Sequence, residues 1–190
     1  KENDVVVSSR IRFARNIADY PFASRLDKTS CNEIIEKVAN ALGDNFEKTD
    51  FENVSMNEAA VFMEKHYISP EFIKKKTPHA LLLDSEKEVA VMVCEEDHVR
   101  LQCILAGLSL DEAFSKARKY DDMLCEKLNI AFDEKYGFLT HCPTNIGLGM
   151  RASVMMFLPA LTMTRSMENL SVQLSKLGLI DDKSYTCTCY

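Results

Sequence analysis

Short apolar runs recur along the chain and are separated by stretches with a helical period. Runs rich in Val, Ile and Leu predict β-strands at residues 4–8, 79–84, 88–93 and 99–105. Residues 151–158 fit either period, but Pro159 disfavours a long helix at this point, so we expect a strand there as well. The apolar pattern therefore predicts five strands.

Three Ser-x-x-Glu sequences mark the starts of predicted helices. They begin at Ser30, Ser55 and Ser109, and the paired Ser and Glu side chains can satisfy the free N–H groups of a first helical turn. The predicted helices cover about residues 30–42, 55–66, 109–128 and 161–177, with Gly43 and Gly178 as stops. Helices and strands are mixed without a regular βαβ order, which predicts an α+β fold with a mainly antiparallel sheet flanked by helices.

The composition is that of one ordinary globular domain. The chain has 190 residues, of which 46% are hydrophobic and 27% charged, and no linker or repeat divides it. The apolar run at residues 154–161 is shorter than the roughly 20 residues of a membrane span, and no charged-then-apolar leader opens the chain, so we expect no membrane partner and no export. The net charge of −6 argues against a nucleic-acid partner.

The cysteines indicate a reducing compartment. The seven cysteines are scattered singly except for Cys187 and Cys189, which gives neither an even disulfide framework nor the paired spacing of zinc ligands. We therefore predict reduced thiols and a cytoplasmic location.

Four arginines are candidates for an anion site. Arg10 and Arg12 are two residues apart, so on a strand their side chains share a face, and Arg100 and Arg151 begin or adjoin other predicted strands. Each guanidinium offers a planar fork of donors suited to phosphate oxygens, so the four can converge on one polyanion. The alternative is that each arginine pairs separately with a surface carboxylate.

The acidic run 95–98, with sequence EEDH, is the second candidate feature. It follows a strand that we expect to be buried, so its carboxylates lie at a rim of the sheet, where one can orient a cationic substrate or accept a proton. Carboxylates together with substrate phosphates can also bind Mg²⁺. The alternative is a solvated turn, and zinc is disfavoured because the nearby His and Cys lack partner spacing.

Four segments together resemble the ATP:guanidino phosphotransferase family. In order they are VVVSSRIRFARNI, FMEKHYIS, EEDHVRLQ and GFLTHCPTNIGLGMRASVMMFLPAL, and the resemblance spans about residues 4–179. Within the family, the sequence is most similar to the bacterial protein-arginine kinases, on the segment KHYISPEF. The resemblance implies that residues 1–180 are the nucleotide-binding part of a catalytic domain, with a large antiparallel sheet and MgATP lying across it.

Residue roles also follow from the resemblance. Glu96 matches the carboxylate that holds the acceptor guanidinium, Cys142 the cysteine beside it, and Arg100 and Arg151 catalytic arginines. The implied nucleotide-binding residues are Ser8, Ser9, Arg10, Ile11, Arg12, His66, Arg100, Arg151, Ala152, Ser153, Val154 and Met155. No metal-ligating residues are implied; ATP and Mg²⁺ are the expected cofactors, and proteins with exposed arginine the expected partners.

Physical chemistry explains why these residue types suit the implied reaction. Phosphoryl transfer needs chiefly alignment and neutralisation of the γ-phosphoryl charge, which arginines and Mg²⁺ supply. A guanidinium has a pKa above about 12 and is a poor nucleophile, so a carboxylate must hold it in line and help to remove a proton. A cysteine in an electropositive pocket can persist as a thiolate, and glycines let its loop fold close to the nucleotide.

Two departures from the family pattern keep other functions open. Leu148 stands where relatives commonly have a small hydroxyl residue. After residue 179 the family has an R-G-x-x-G-E element, which supplies another arginine and a second carboxylate, whereas this chain reads IDDKSYTCTCY, with the divergent tail at 181–190. The alternatives to a protein-arginine kinase are therefore a small-molecule guanidino kinase, such as an arginine kinase, and a truncated, non-catalytic nucleotide-binding or interaction domain. Missing strands would also leave an open sheet edge, so we expect homo-oligomers through that edge.

Overall fold

The structure is a computed structural model that describes residues 5–179. The predicted tail at 181–190 lies outside the described residues. The helices are α1 (Lys28–Leu42), α2 (Met56–Glu64), α3 (Pro70–Ile73), α4 (Leu110–Lys127), α5 (Pro159–Met163) and α6 (Met167–Lys176). The strands are β1 (Val6–Arg15), β2 (Phe46–Asp50), β3 (Ala80–Asp84), β4 (Val89–Val93), β5 (Val99–Ala106), β6 (Phe132–Asp133), β7 (Gly137–Phe138) and β8 (Met150–Met156).

Six of these strands form one antiparallel sheet in the order β2-β3-β4-β5-β1-β8, and β6 pairs with β7 separately. The predicted α+β class with a mainly antiparallel sheet is confirmed. Strand β1 lies between β5 and β8, so it receives backbone hydrogen bonds from both sides. Strand β8 closes one end of the sheet, and its outer edge pairs with no other strand among the described residues.

The sheet has an apolar core on each of its faces, but the two cores differ in extent. The larger core lies under α1 and α4 and includes Ile11 and Phe13 of β1. The smaller core packs side chains of β3 and β4 against Phe51 and Phe72. All five residues of β3 and all five of β4 are buried, which is why these strands read as continuous apolar runs in the sequence.

Strand β2 was not predicted from the sequence. It has the sequence FEKTD and lies at the edge of the sheet, where only Phe46 is buried. A polar edge strand has little of the alternation by which strands are recognised, and its charges also discourage pairing with a second chain.

The predicted helix starts have three different outcomes. At Ser55 the capping box is present, because Ser55 and Glu58 each bond the other's backbone N–H group. The predicted start at Ser30 is wrong: α1 begins at Lys28, and the Asp27 side chain accepts the Ser30 N–H at 2.8 Å. Ser109 does precede α4, but its side chain caps no N–H group of the helix.

Two predicted helix extents are also wrong. The second helix ends at Glu64, two residues before His66, which adopts a positive φ of 60°. The fourth predicted helix is divided into α5 and α6, and Arg165, between them, has a φ of 55° that an α-helix cannot contain.

Five of the seven cysteines lie within the described residues. Cys31, Cys94, Cys103, Cys125 and Cys142 are all free thiols. Within residues 5–179, no helix combines the length and the apolar character that crossing a membrane requires.

Candidate active site

The four candidate arginines lie on one face of the sheet. In the β1–β8 pairing Arg12 is directly opposite Arg151, and in the β1–β5 pairing Ala14 is opposite Arg100. Directly opposite residues of an antiparallel pair project from the same face, and so do alternate residues of one strand. Arg10, Arg12, Arg100 and Arg151 therefore share a face, which we call the arginine face. Arg151 is exposed and the other three are partly exposed.

Hydroxyl groups on the arginine face come from β1 and β8. Ser153 is directly opposite Arg10, and the Arg10 Nε donates to the Ser153 Oγ at 3.4 Å. Ser8 occupies the same face by alternation and lies opposite Met155. Ser8 and Ser153 therefore lie on the same face as the four arginines.

Other predicted nucleotide-binding residues project from the opposite face. Ser9 and Ile11 alternate with the arginines of β1, and the residues of β8 opposite them are Val154 and Ala152. Ser9 is fully buried; its hydroxyl donates to the Gly107 carbonyl at 2.7 Å and accepts the Ser109 N–H at 3.0 Å. The structure therefore does not bring the Ser9 side chain to the arginine face, and Ser9 instead anchors the chain before α4.

His66 is exposed on a turn that Gln102 fastens to the arginine face. Gln102 lies opposite Arg12 in the β1–β5 pairing and is 3% exposed. Its Nε2 donates to the backbone carbonyls of His66, at 2.7 Å, and Tyr67, at 3.1 Å. A buried side-chain amide thus fixes the strained turn that carries the His66 imidazole. Sequence reasoning missed Gln102; its signal is a polar residue at a buried strand position.

The acidic run surrounds Arg100 instead of forming a solvated turn. The Arg100 Nη2 lies 2.9 Å from the Glu95 Oε2 and 3.1 Å from the Glu96 Oε2. Glu95 is 9% exposed and also accepts the Ser69 hydroxyl at 3.0 Å, whereas the Glu96 side chain is 39% exposed. Glu96 is therefore the carboxylate of this pair that a second guanidinium can reach.

Cys142 lies in the loop between β7 and β8. Its side chain is partly exposed, and the sulfur is 3.0 Å from the Thr144 Oγ1. The Thr140 hydroxyl donates to the Cys142 carbonyl at 2.8 Å. The loop is thus shaped by local hydrogen bonds that leave the sulfur accessible.

Gly149 allows the same loop to approach β1. It has a φ of 55°, and a Cβ added there would come within 2.8 Å of the Ala14 carbonyl oxygen and 2.5 Å of the Arg15 Nη1. Only glycine is compatible with both the φ and the contact. The loop therefore approaches β1 closely, and the close approach to a nucleotide that we predicted for it stays a prediction.

A buried polar cluster joins the acidic run to the cysteine loop. The Asp97 Oδ1 accepts the Asn16 Nδ2 and the His141 backbone N–H, each at 2.7 Å. Asn16 Nδ2 also donates to the Leu139 carbonyl at 3.0 Å, and Asn16 Oδ1 accepts the His98 backbone N–H at 2.9 Å. Asn16 and Asp97 are 2% and 1% exposed. Asn16 was not singled out from the sequence, and Asp97 was considered only as a member of the acidic run, because their partners are distant along the chain.

No metal cage is built from protein side chains in the part of the chain that is described. Residues 5–179 contain no group of three or more His, Cys, Asp or Glu side chains placed to hold a metal ion. The carboxylates of Glu95 and Glu96 lie near the arginine face and could offer oxygen ligands to a metal ion, but both already contact Arg100.

Comparison with known proteins assigns the family. The family model for the ATP:guanido phosphotransferase C-terminal catalytic domain matches residues 30–183. The chain belongs to this family. Two guanido phosphotransferase relatives named protein-arginine kinase are those of Clostridium acetobutylicum, 43% identical over 185 residues, and of Caldanaerobacter subterraneus subsp. tengcongensis, 44% identical over 186 residues. Those matches cover 94% of this chain and 54% and 55% of the two relatives, so the chain spans about half their length.

Solved guanidino kinase structures have the same fold. The substrate-free duplicated taurocyamine kinase of Schistosoma mansoni matches with a TM-score of 0.75 and 25% identity, covering 84% of this chain and 25% of that one. A lombricine kinase structure matches with a TM-score of 0.76 and 20% identity, covering 92% of this chain and 54% of that one.

Proposed function

We propose that this chain forms the nucleotide-binding part of an enzyme that transfers the γ-phosphoryl group of ATP to the guanidinium of arginine residues in proteins. The observation that carries the proposal is the arginine face, with its four arginines on three neighbouring strands and Glu96 at the end of the same array. The names of the bacterial relatives support a protein acceptor.

The arginine face suits a nucleotide polyphosphate. Arg10, Arg12 and Arg151 present their guanidinium groups from two adjacent strands, where they can neutralise phosphate oxygens without moving the backbone. The His66 turn, held by Gln102, lies beside the same face and is available to contact the base. Phosphate alignment by fixed arginines is the largest contribution a protein can make to phosphoryl transfer.

Magnesium would be bound chiefly through the nucleotide. The described residues offer no carboxylate cage, and Mg²⁺ commonly keeps several waters while bridging substrate phosphates. When bound with ATP, the ion would neutralise part of the phosphate charge. The arginines of this face would neutralise the remainder and hold the phosphates in line.

Glu96 and Cys142 suit the acceptor side of the reaction. The Glu96 carboxylate already accepts a guanidinium, that of Arg100, at 3.1 Å. An incoming substrate arginine can bind there in the same manner, and the carboxylate can take up the proton that the attacking nitrogen loses. Cys142 contributes a second polarisable or anionic group beside it, as its match to the family motif implies.

A small guanidino compound is the second candidate acceptor. The taurocyamine kinase structure, whose name specifies a small guanidino substrate, is similar to this chain at 25% identity. A non-catalytic nucleotide-binding domain is the third possibility, because Leu148 and the region after residue 179 depart from the family pattern. An acceptor assay separates the three.

A cytoplasmic location and homo-oligomers through a sheet edge are further proposals, each supported by one observation. The described cysteines are free thiols, which supports a cytoplasmic location. The outer edge of β8 has no partner strand within residues 5–179, which supports homo-oligomers through that edge.

The first experiment measures MgATP binding by calorimetry for the protein and for Arg151→Ala. We expect at least a tenfold loss of affinity, because a charge-assisted contact contributes about 1.5–3 kcal/mol. Arg118→Ala is the matched control, since Arg118 is an exposed arginine of α4 whose described contacts are an ion pair with Asp122 and the ring of Phe114. Equal affinities for the three proteins would exclude the arginine face as the nucleotide site.

The second experiment identifies the acceptor. The protein is incubated with MgATP and either an arginine-rich protein or free arginine, and phosphoarginine is detected by mass spectrometry. Labelling of the protein supports a protein-arginine kinase, and labelling of free arginine supports a small-molecule guanidino kinase. MgATP binding without either product would leave the non-catalytic alternative.

A further inference from the structure

We propose that Asp97 and Asn16 are positioning residues that set the separation between Glu96 and Cys142. The inference rests on the proposed function, because it assigns those two groups to the acceptor side. It concerns residues that belong to neither the arginine face nor the set of groups that would touch the substrate.

The direct link between the loop that carries Glu96 and the loop that carries Cys142 is a hydrogen bond to one carboxylate oxygen of Asp97. Asp97 adjoins Glu96, and His141 adjoins Cys142, so the 2.7 Å bond from the His141 N–H to the Asp97 Oδ1 joins the two backbones one residue away from each reacting group. These segments are 44 residues apart along the chain. Within residues 5–179 the second link is Asn16, which bonds the His98 N–H on one loop and the Leu139 carbonyl on the other.

Asp97 and Asn16, with the hydrogen bonds that they make to the two loops, form what we call the bridge. It is rigid because both side chains are buried and each makes several hydrogen bonds. Asn16 uses both ends of its amide, and its own backbone carbonyl accepts the Ala131 N–H at 2.7 Å. The His98 ring is fixed as well, since its Nδ1 accepts the Ile17 N–H at 3.0 Å. A displacement of about 1 Å between catalytic groups can reduce the rate of a reaction about 10²-fold, so such a bridge has a direct use on the acceptor side.

Glu96 and Asp97, two neighbouring carboxylates of the acidic run, thus have different uses. Glu96 is 39% exposed and faces solvent, whereas Asp97 is 1% exposed and its bonded partners all belong to the protein. The Asp97 Oδ2 is buried and has no hydrogen-bond partner among the described residues. Both bonds of the bridge therefore end on Oδ1, an oxygen that asparagine also provides.

The test compares Asp97→Ala and Asp97→Asn with Asp84→Ala. Asp84 is the matched control because it is 6% exposed and its Oδ1 also accepts two backbone N–H groups, those of Glu88 and Val89, each at 2.9 Å, in a turn between β3 and β4. Two quantities are measured for each variant: the rate at which iodoacetamide alkylates Cys142, followed by peptide mass mapping, and the rate of phosphoarginine formation at saturating MgATP.

We expect Asp97→Ala to raise the alkylation rate of Cys142 several-fold and to lower phosphoarginine formation roughly 10²-fold, with MgATP affinity retained. Asp97→Asn should stay close to the parent protein in both quantities, because it keeps the accepting Oδ1. Asp84→Ala should lower the melting temperature without changing the alkylation rate of Cys142 or the rate of phosphoarginine formation. Asn16→Ala removes the bridge from its other side and should shift both quantities in the same direction as Asp97→Ala.

The alkylation rates of Cys142 give two results that would overturn the proposal. One is an unchanged Cys142 alkylation rate in both Asp97→Ala and Asn16→Ala, and the other is an equal change in Asp84→Ala. Loss of phosphoryl transfer in Asp97→Asn at an unchanged alkylation rate would also overturn it, because the negative charge and not the bridge would then matter. If the parent protein forms no phosphoarginine, the proposed function fails, while the alkylation rates still decide whether the bridge exists.

Discussion

Replacing Arg15 by methionine tests whether the buried ion pair of β1 holds the site loop and the sheet together. Arg15 Nη2 lies 2.7 Å from the Asp121 Oδ2 of α4, and the two side chains are 2% and 8% exposed. The Arg15 Nη1 donates to the carbonyls of Ala14, at 2.8 Å, and Leu148, at 3.1 Å. The guanidinium also lies 3.6 Å from the centroid of the Phe138 ring.

The expected loss follows from what remains after the substitution. Arg15→Met keeps an apolar stem but leaves the Asp121 carboxylate buried without its counter-ion, which costs about 3–5 kcal/mol of the free energy of unfolding. For a chain of 190 residues, one kcal/mol lowers the melting temperature by about 2–4 °C, so we expect a decrease of about 6–20 °C. The double variant Arg15→Met with Asp121→Leu should recover most of the loss, because no buried charge is left.

Lowering the pH should reduce the loss of free energy of unfolding in Arg15→Met. Burial already raises the pKa of Asp121, and the Arg15 guanidinium opposes that rise. Without Arg15 the folded-state pKa lies further above the unfolded value of 3.8, so Asp121 opposes folding at neutral pH and stops doing so as acid protonates it. Urea unfolding at neutral and at acid pH measures both effects. The reasoning would be refuted if Arg15→Met lost less than about 1 kcal/mol of the free energy of unfolding, a value typical of surface ion pairs. It would also be refuted if the double variant were no more stable than Arg15→Met.

Three further predictions concern catalysis, acid stability and assembly. Glu96→Gln should lower phosphoarginine formation about 10²–10³-fold without lowering MgATP affinity in calorimetry; parallel losses of both would contradict the acceptor role. Burial lowers the pKa of His98, so its contribution to stability is complete above the unfolded value of 6.5 and is lost as the pH falls below it. Thermal melts across this range should show that loss, and a flat profile would contradict it. Sedimentation over a wide concentration range should show self-association through the β8 edge, and a monomer throughout would exclude it.

The strands buried on both faces could be predicted from the sequence, and so could the edge strand β8, whereas the edge strand β2 could not. The apolar runs in β3 and β4 are continuous because both faces of the sheet are covered there. Strand β2 is mostly polar and exposed, so its sequence does not distinguish it from a loop. The Ser30 error has a similar origin: Asp27 is an equally good cap three residues earlier, and local sequence does not decide between the two.

The site was predictable in its residue types but not in its geometry. The motif resemblance identified Arg10, Arg12, Glu96 and Cys142, and alternation alone placed the first two on one face. The strand register that aligns Arg12 with Arg151 depends on pairings between residues more than 100 positions apart, which no local pattern encodes. For the same reason the long-range bridges were missed: Asn16 to Asp97 spans 81 positions and Arg15 to Asp121 spans 106.

The register of β1 connects the stability of this protein to its candidate site. A slip of one residue would turn Arg10 and Arg12 into the apolar core and expose Ile11 and Phe13. Arg15 opposes such a slip, because it belongs to the core-facing set and is held there by a buried carboxylate, by two carbonyls and by an aromatic ring. The close contact between Gly149 and the Ala14 carbonyl oxygen fixes β8 in the same register. The buried end of β1 therefore determines which face is occupied by the arginines that we propose to bind phosphate. Substitutions at Arg15, which would not itself touch the nucleotide, should therefore weaken nucleotide binding.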